Sequence, residues 1–234
     1  GREANGATRW LDLGPLSVQP SEIAKLVMVG LAAHLLSTRR AEGGRFGVLF
    51  WPLAPVAACG AGLIFVQPDL GTTLMIGLVV MGLWWQAGMP LKEWLSIALL
   101  GLMLVAAAIL GSDFRRERFL AFLDPFADAQ GHGWQIVQSF LALANGGWWG
   151  VGPGRSVQKF NYLPEAHTDM IFSIIGEEFG FVGAGLLLLL FALLVAAVFR
   201  IAARCTDSFG RYLAGGVGLM ISGQAVVNLG GVMG

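Results

Sequence analysis

Apolar residues gather into six long runs, at positions 23–37, 46–66, 70–87, 94–111, 170–199 and 212–234. Most approach the roughly 17 to 25 residues that an α-helix needs to cross a bilayer. The first is short and carries Lys25 and His34. The fifth contains an unbroken leucine block, 186–190, that leaves no polar side to turn toward water. A helix buried in a soluble bundle still needs such a side. The pattern therefore predicts an all-α fold, a polytopic transmembrane helical bundle forming a single membrane domain over residues 1–234. Spanning helices satisfy their own backbone groups, so lipid tolerates glycine-rich segments that water would not. The 34 glycines, many spaced through the runs, read as points of close helix packing.

The connections alternate between short and long. Residues 38–45, 88–93 and 200–211 are short, whereas 112–168 far exceeds the usual connection of about 4–6 residues, and loops of that size tend to carry function. Within it, 134–144 (WQIVQSFLALA) repeats its apolar positions every three or four residues. That spacing predicts an amphipathic helix lying at the membrane interface. Alternation puts the short loops on one side, and the long loop with residues 1–21 on the other. Lys and Arg number seven on each side once Lys25, inside a helix, is set apart. The short loops hold theirs more densely, and short loops orient a chain, which favours short loops in the cytoplasm and the long loop outside.

Composition sharpens this picture. The chain is 56% hydrophobic and 13% charged, with mean hydropathy +0.69; soluble domains are about a quarter charged. Zero net charge removes any global argument for nucleic-acid binding. Cys59 lies in an apolar run and Cys205 in a polar loop, neither in a disulfide framework or a metal-binding pair. The chain opens on Gly1 and stops at Gly234 inside an apolar run, so the expectation is a piece of a longer protein.

Candidate chemistry concentrates at residues 161–180, NYLPEAHTDMIFSIIGEEFG. Glu165, His167 and Asp169 alternate just before an apolar run, and an extended segment would place all three on one face. The plain reading of Thr168 or Asp169 is a helix cap, favoured by the N-terminal dipole. The functional one is a general base: carboxylates clustered at a membrane mouth, partly desolvated, hold protons more readily than in water. A Glu-x-His-x-Asp cluster can also take a divalent cation, magnesium or manganese. Glu177 and Glu178 lie about two turns inside the run, where ionisable groups face a cavity or a partner. Lys25, one turn after Glu22, is the expected cation; an interhelical ion pair and a substrate contact are the two readings.

The stretches Gln19-Pro20-Ser21-Glu22 and Gln67-Pro68-Asp69-Leu70-Gly71-Thr72 read as helix starts. By alternation they share the side of the long loop, where converging helix N-termini favour an anionic ligand such as a phosphate. Arg115, Arg116, Arg118, Arg155 and Lys159 can add phosphate contacts, although a run such as 115–118 is equally the solvated end of a helix. Residues 150–155, GVGPGR, have the glycines of a phosphate-cradling loop, but no strand precedes them and no Gly-Lys-Ser/Thr follows. Serine-hydrolase, zinc-protease and paired-carboxylate glycosidase arrangements are absent.

Four segments together are more particular than any composition argument: NGATRWLDLG (5–14), QPSEIAK (19–25), QPDLGTTLM (67–75), and FLDPFADAQGHGWQIVQSFLALANGGWWGVGPGRSVQKFNYLPEAHTDMIFSIIGEEFGFVG (122–183). In these the chain resembles the SEDS family (shape, elongation, division and sporulation), and SVQKFNYLPEAHTD is similar to its cell-division branch. The resemblance implies a SEDS bundle of about ten helices in the full protein, about six of them here, with one large extracytoplasmic loop. It implies a peptidoglycan glycosyltransferase of the cytoplasmic membrane that polymerises lipid II at the outer face during septal synthesis. The acceptor GlcNAc 4-hydroxyl would attack donor MurNAc C1 with inversion, releasing undecaprenyl pyrophosphate. Asp169 matches the family's essential aspartate and would be the base. Trp10 matches another functionally important position, and Glu22 and Lys25 match polar residues lining the central cavity. Arg155, Lys159, Glu165 and His167 would complete the substrate contacts, with Glu177 and Glu178 structural or cavity-lining. The resemblance implies no particular cofactor; a divalent cation, magnesium or manganese, is the candidate, and metal dependence stays open. The implied partners are a class B penicillin-binding transpeptidase and other membrane proteins of the divisome. The alternatives are a lipid II flippase, an elongation-type polymerase for cell shape, and a non-catalytic scaffold.

Overall fold

A computed structural model describes residues 2–4, 7–12, 17–39, 46–66, 69–131, 133–158 and 168–233. Three short strands, β1 (Arg2–Ala4), β2 (Ala7–Asp12) and β3 (Ser17–Val18), pair antiparallel in the order β1-β2-β3, with Ala4 opposite Ala7 and Leu11 opposite Val18. Among the described residues eight helices follow: α1 (Pro20–Arg39), α2 (Phe46–Val66), α3 (Leu70–Gln86), α4 (Leu91–Leu110), α5 (Asp113–Leu123), α6 (Trp134–Gly146), α7 (Ile171–Arg204) and α8 (Ser208–Met233). Each apolar run becomes one helix, and α1, α2, α4, α7 and α8 are long and apolar enough to span a membrane. The sixth, α3, is apolar as well but, with 17 residues, is shorter than these five. The protein is thus a predominantly helical, multi-pass membrane protein with a small N-terminal sheet that the apolar pattern does not predict.

Helix ends run past the apolar stretches. α7 continues through Arg200 to Arg204, and α8 begins at Ser208, so the connection expected over twelve positions shrinks to 205–207. That turn is closed by its own groups: Asp207 Oδ2 accepts from the Gly210 N–H at 2.7 Å, and the Arg211 guanidinium donates to the Cys205 carbonyl at 3.0 and 3.2 Å.

The chain forms two compact units, 1–101 with 195–224 and 102–194 with 225–234. The core of the first comes from one face each of α1, α2 and α3. Val29, Ala33 and Leu36, Leu49 and Leu53, and Val79, Val80 and Leu83 are all buried, at the three- and four-residue spacing of a single helix face. Trp84 Nε1–H donates to the Leu49 carbonyl at 3.0 Å while its ring stacks on Phe50, so the indole's polar edge is satisfied inside the apolar core. Small residues let α8 approach: a Cβ on Gly82 would sit 2.4 Å from the Leu219 side chain, and one on Gly216 would sit 2.7 Å from Val29. In α4 no residue is buried, and Leu95, Leu99, Leu102 and Leu104 are all more than half exposed. A helix of that composition and exposure is stable only with lipid as its solvent.

In the second unit the long connection is not irregular: it holds α5 and α6. The arginines 115–118 fall on α5, where Arg116 pairs with Asp113 at 3.3 Å. The predicted amphipathic helix is α6, two residues longer than expected. Its buried face carries Ile136, Ser139 and Ala142. Ser139 Oγ donates to the Val232 carbonyl of α8 at 2.8 Å and lies 2.6 Å from Ser173 Oγ of α7. A hydroxyl has one proton, so Ser173 is the donor in the second contact. One buried hydroxyl thus ties three helices together.

Candidate functional site

The 34 residues of α7 exceed what a bilayer requires, and the helix is broken inside, at Gly180 (φ 68°, ψ −168°). A break frees backbone groups that lipid cannot satisfy. Here the segment after α6 satisfies them. The N–H groups of Val151 and Gly152 donate to the carbonyls of Glu177 and Glu178, both at 3.0 Å. Beyond the break, the N–H groups of Phe181 and Val182 donate to the carbonyls of Gly147 and Trp148 at 2.8 and 3.2 Å. The fit leaves no room for side chains. A Cβ on Gly150 (φ +80°) would lie 2.1 Å from the Glu178 carbonyl oxygen, and one on Gly180 would lie 2.5 Å from the Gly150 nitrogen. Glycine is required at both, for space and for φ.

The same chain continues onto the two glutamates. Glu177, 1% exposed, accepts from the Ser156 hydroxyl and, at 3.4 Å, from the N–H groups of Val157 and Gln158. Glu178 accepts from the Ser156 N–H, also at 3.4 Å. Three successive backbone N–H groups make a concavity of the kind that binds anions. In this protein the anions are the chain's own carboxylates. Glu177 was expected to face a cavity or a partner, with Lys25 the candidate cation; the structure gives it partners from a loop about twenty residues upstream, which offers several donors without a second charge to desolvate. The glycines of 150–155, whose sequence context already argued against a phosphate cradle, serve a close backbone crossing, and the N–H groups after them are directed at Glu177 and Glu178.

Asp169 lies exposed in the turn 168–170, one turn ahead of the buried Ser173, and α7 starts at Ile171, one residue later than expected. Beneath it, Met170 is buried against Val232, with Leu143, Phe172 and Ile174 around them. Arg155 is exposed in the loop, its N–H bonded to the Gly152 carbonyl at 3.1 Å. Lys159, Glu165 and His167 lie outside the described residues. Among the described residues no group of three His, Cys, Asp or Glu side chains gathers as a metal site; two members of the predicted cation cluster, Glu165 and His167, are not among them.

The first unit holds a second polar centre. Lys25 is 6% exposed on α1, paired with Glu22 at 2.9 Å and donating to Gln224 Oε1 of α8 at 3.0 Å. An ammonium has three protons, and these contacts account for two. Gln224 went unrecognised in the sequence: an uncharged residue on a glycine-rich helix gives no signal until α8 is laid beside α1. The backbone of Trp10 lies in β2 opposite Arg2, and its side chain is outside the described residues. Asp69 is the predicted cap of α3, accepting from the Thr72 N–H at 3.0 Å and the Thr72 hydroxyl at 2.8 Å. Within each unit, then, the structure joins Glu22 with Lys25, and Glu177 with Glu178 through Ser156.

Several apolar spanning helices, one of them broken, with a buried lysine and a buried glutamate held by polar partners, define a polytopic membrane protein. The profile of the FtsW/RodA/SpoVE cell cycle protein family matches residues 1–234, and the chain belongs to that family. It is 45% identical over 236 residues to the probable peptidoglycan glycosyltransferase FtsW of Mycobacterium tuberculosis, covering 100% of this chain and 45% of that protein. With the protein of the same name from Nitrosomonas europaea it shares 37% identity over 235 residues, covering 99% of this chain and 61% of the relative. Among solved structures, it superposes on one described as a peptidoglycan synthase complex that coordinates polymerization and crosslinking (TM-score 0.78, 35% identity, 100% of this chain and 65% of that one). It also superposes on the rod shape determining protein RodA of Thermus thermophilus (TM-score 0.67, 31% identity, 100% and 60%). The chain spans about half to three-fifths of the length of these two curated relatives.

Proposed function

We propose that the protein to which this chain belongs is a peptidoglycan glycosyltransferase that polymerises lipid II during septal wall synthesis. The acceptor GlcNAc 4-hydroxyl attacks donor MurNAc C1 with inversion, and undecaprenyl pyrophosphate leaves. Asp169 takes the hydroxyl proton. An inverting displacement needs one base and a stabilised leaving group, not a nucleophilic triad. The observation that carries this reading is a contrast within one stretch. Glu177 is buried and turned onto loop donors, whereas Asp169 is exposed at the head of α7, where a substrate can reach it. Lys25 with Glu22, and Arg155 with Lys159 from the loop, are the candidate contacts for the pyrophosphate and sugars, since cations placed where charge develops stabilise a leaving group. Trp10, Glu165 and His167 complete the proposed substrate contacts.

The proposed setting is the cytoplasmic membrane, with the site on its outer face. The proposed partner is a class B penicillin-binding transpeptidase, which the relative described as coordinating polymerization and crosslinking supports. A flippase is less well supported: a translocation path needs polar groups open to cargo, and the buried Glu177 is directed at the Ser156 hydroxyl and loop N–H groups inside its own unit. The two readings separate on purified full-length protein with labelled lipid II and the transpeptidase: the polymerase reading requires glycan strands from the unaltered protein and none from Asp169→Asn.

A further inference from the structure

We propose that a groove inside the first unit binds an anionic phospholipid of the membrane, with an acyl chain along the groove and the headgroup phosphate on Arg211. The site stands apart from Asp169 and from the chemistry proposed for it. Four helices build it. Gly82 of α3 makes room for Leu219 of α8, and Gly218 of α8 for Phe199 of α7, whose ring a Cβ there would meet at 3.2 Å. Trp94 ties α4 to α3, its Nε1–H donating to the Met81 carbonyl at 2.8 Å. These contacts order the helices α4-α3-α8-α7. The groove, about 930 Å³, lies over α3 and α8 between the outer two. Sites for small molecules span about 300–1,000 Å³.

One end of the groove is polar and the rest is apolar. Gln86 ends α3, Leu91 begins α4 and Arg211 lies in the first turn of α8, so the polar end sits where the helices meet the short turns 87–90 and 205–207. From Arg211 to Leu219 the groove runs about 12 Å inward, at 1.5 Å per residue. Its walls include Trp85 and Leu91, both more than half exposed, and Trp94, whose ring meets Trp85 edge-on at 5.6 Å. Tryptophans at helix ends suit the headgroup level of a bilayer. Arg211 supplies the charge. It is half-buried, and two of its five N–H groups donate to the Cys205 carbonyl at 3.0 and 3.2 Å. Among the described residues no carboxylate pairs with it. The acid in the same turn, Asp207, is taken by the Gly210 N–H, and the Gln86 amide donates to the Arg211 carbonyl at 3.2 Å, which fixes the backbone and leaves the guanidinium unneutralised. A partly desolvated cation is costly without an anion. An apolar transmembrane helix would fill the walls and leave that charge unmet, whereas a phospholipid answers both. The turn adds Arg200 and Arg204 on α7, three cations against Asp207 alone. Basic pockets between helices on the cytoplasmic side take anionic headgroups, and the proposed topology puts these short turns in the cytoplasm.

The test places the full-length protein in nanodiscs of phosphatidylcholine and titrates in phosphatidylglycerol or phosphatidylcholine brominated on the acyl chains. Bromine quenches tryptophan on contact, so the signal is the quenching that disappears in Trp85→Phe. It is compared among the unaltered protein, Arg211→Gln and Ala203→Phe, whose ring would fill the groove. Hydrogen bonds from a charged donor correspond to about 10- to 100-fold in affinity. The unaltered protein is therefore expected to be half-quenched by roughly 10- to 100-fold less brominated phosphatidylglycerol than phosphatidylcholine. Arg211→Gln is expected to remove that preference, and Ala203→Phe to weaken quenching by both lipids. If Arg211→Gln fails to fold, the headgroup comparison in the unaltered protein and Ala203→Phe carry the test. Equal half-quenching by the two lipids in the unaltered protein overturns the proposal, as does a preference that survives Arg211→Gln. Unchanged quenching in Ala203→Phe places the lipid elsewhere and overturns it too. So does the absence of Trp85-dependent quenching, which would show the groove filled by a protein helix.

Discussion

Replacing Gly150 with alanine strikes the crossing between the loop and the broken helix. The new methyl would lie 2.1 Å from the Glu178 carbonyl oxygen, so the loop must retreat by roughly 1 Å to reach van der Waals distance. The bonds from Val151 and Gly152 to the Glu177 and Glu178 carbonyls, 3.0 Å each, would then stretch to about 4 Å and be lost. Two buried carbonyls without partners cost about 1–3 kcal/mol each, and alanine at positive φ adds about 1–2 kcal/mol. The sum is on the order of 3–8 kcal/mol. Gly147 is the internal control: its φ is +52°, but a Cβ there meets nothing within 4 Å, so Gly147→Ala carries only the backbone penalty. The gap between the two variants should be at least about 2 kcal/mol, or roughly 4–8 °C in melting temperature for a protein of this size. Tryptophan fluorescence melts of the full-length protein in detergent measure it. Equal shifts in the two variants would show that the loop does not seat tightly on the break, and would refute the steric reasoning.

Two further substitutions probe other joints. Asp69→Ala removes the cap of α3 and should lower stability by about 1 kcal/mol, with Asp69→Asn close to the unaltered protein in the same melts; an equal loss in both would point to charge, not capping. Ser139→Ala leaves the Val232 carbonyl and the Ser173 hydroxyl without their partner and should cost about 1–3 kcal/mol, more than Ser173→Ala, which removes a single donor. A larger effect in Ser173→Ala would reverse the hydrogen-bond direction argued for this triad.

The spanning helices were legible because a bilayer imposes one simple demand, length with apolarity, and 46–66 or 94–111 meet it in the sequence alone. Asp69 was legible too, since a cap is decided within three residues. The break in α7 was not read, although its signal was present: the run 170–199 is longer than a span requires, and Glu177, Glu178 and Gly180 interrupt its middle. Glycine in a membrane helix reads first as a packing point, so the excess length was the better clue. The partners of Glu177 were out of reach for a different reason. Ser156 and Gln158 lie about twenty residues upstream in a loop whose path depends on α6 docking first, and charge pattern alone pointed to Lys25. The N-terminal hairpin left one trace, the Asn5-Gly6 dipeptide between β1 and β2, a strong hairpin signal that the absence of a long alternating pattern obscured. Trp10 was reached through family resemblance alone, Glu22 and Lys25 through the charge pattern before it, and Gln224 only through the fold.

The claim on which the functional account turns is that Asp169 is the base of a polymerase. Its most direct test is glycan-strand synthesis from labelled lipid II by the full-length protein with the proposed class B penicillin-binding transpeptidase, comparing Asp169→Asn with the unaltered protein at matched expression and melting temperature. General-base catalysis contributes about 10²- to 10⁴-fold. The account predicts that Asp169→Asn loses at least about a hundredfold in rate while still binding lipid II. Strand synthesis by Asp169→Asn at the unaltered rate would contradict it.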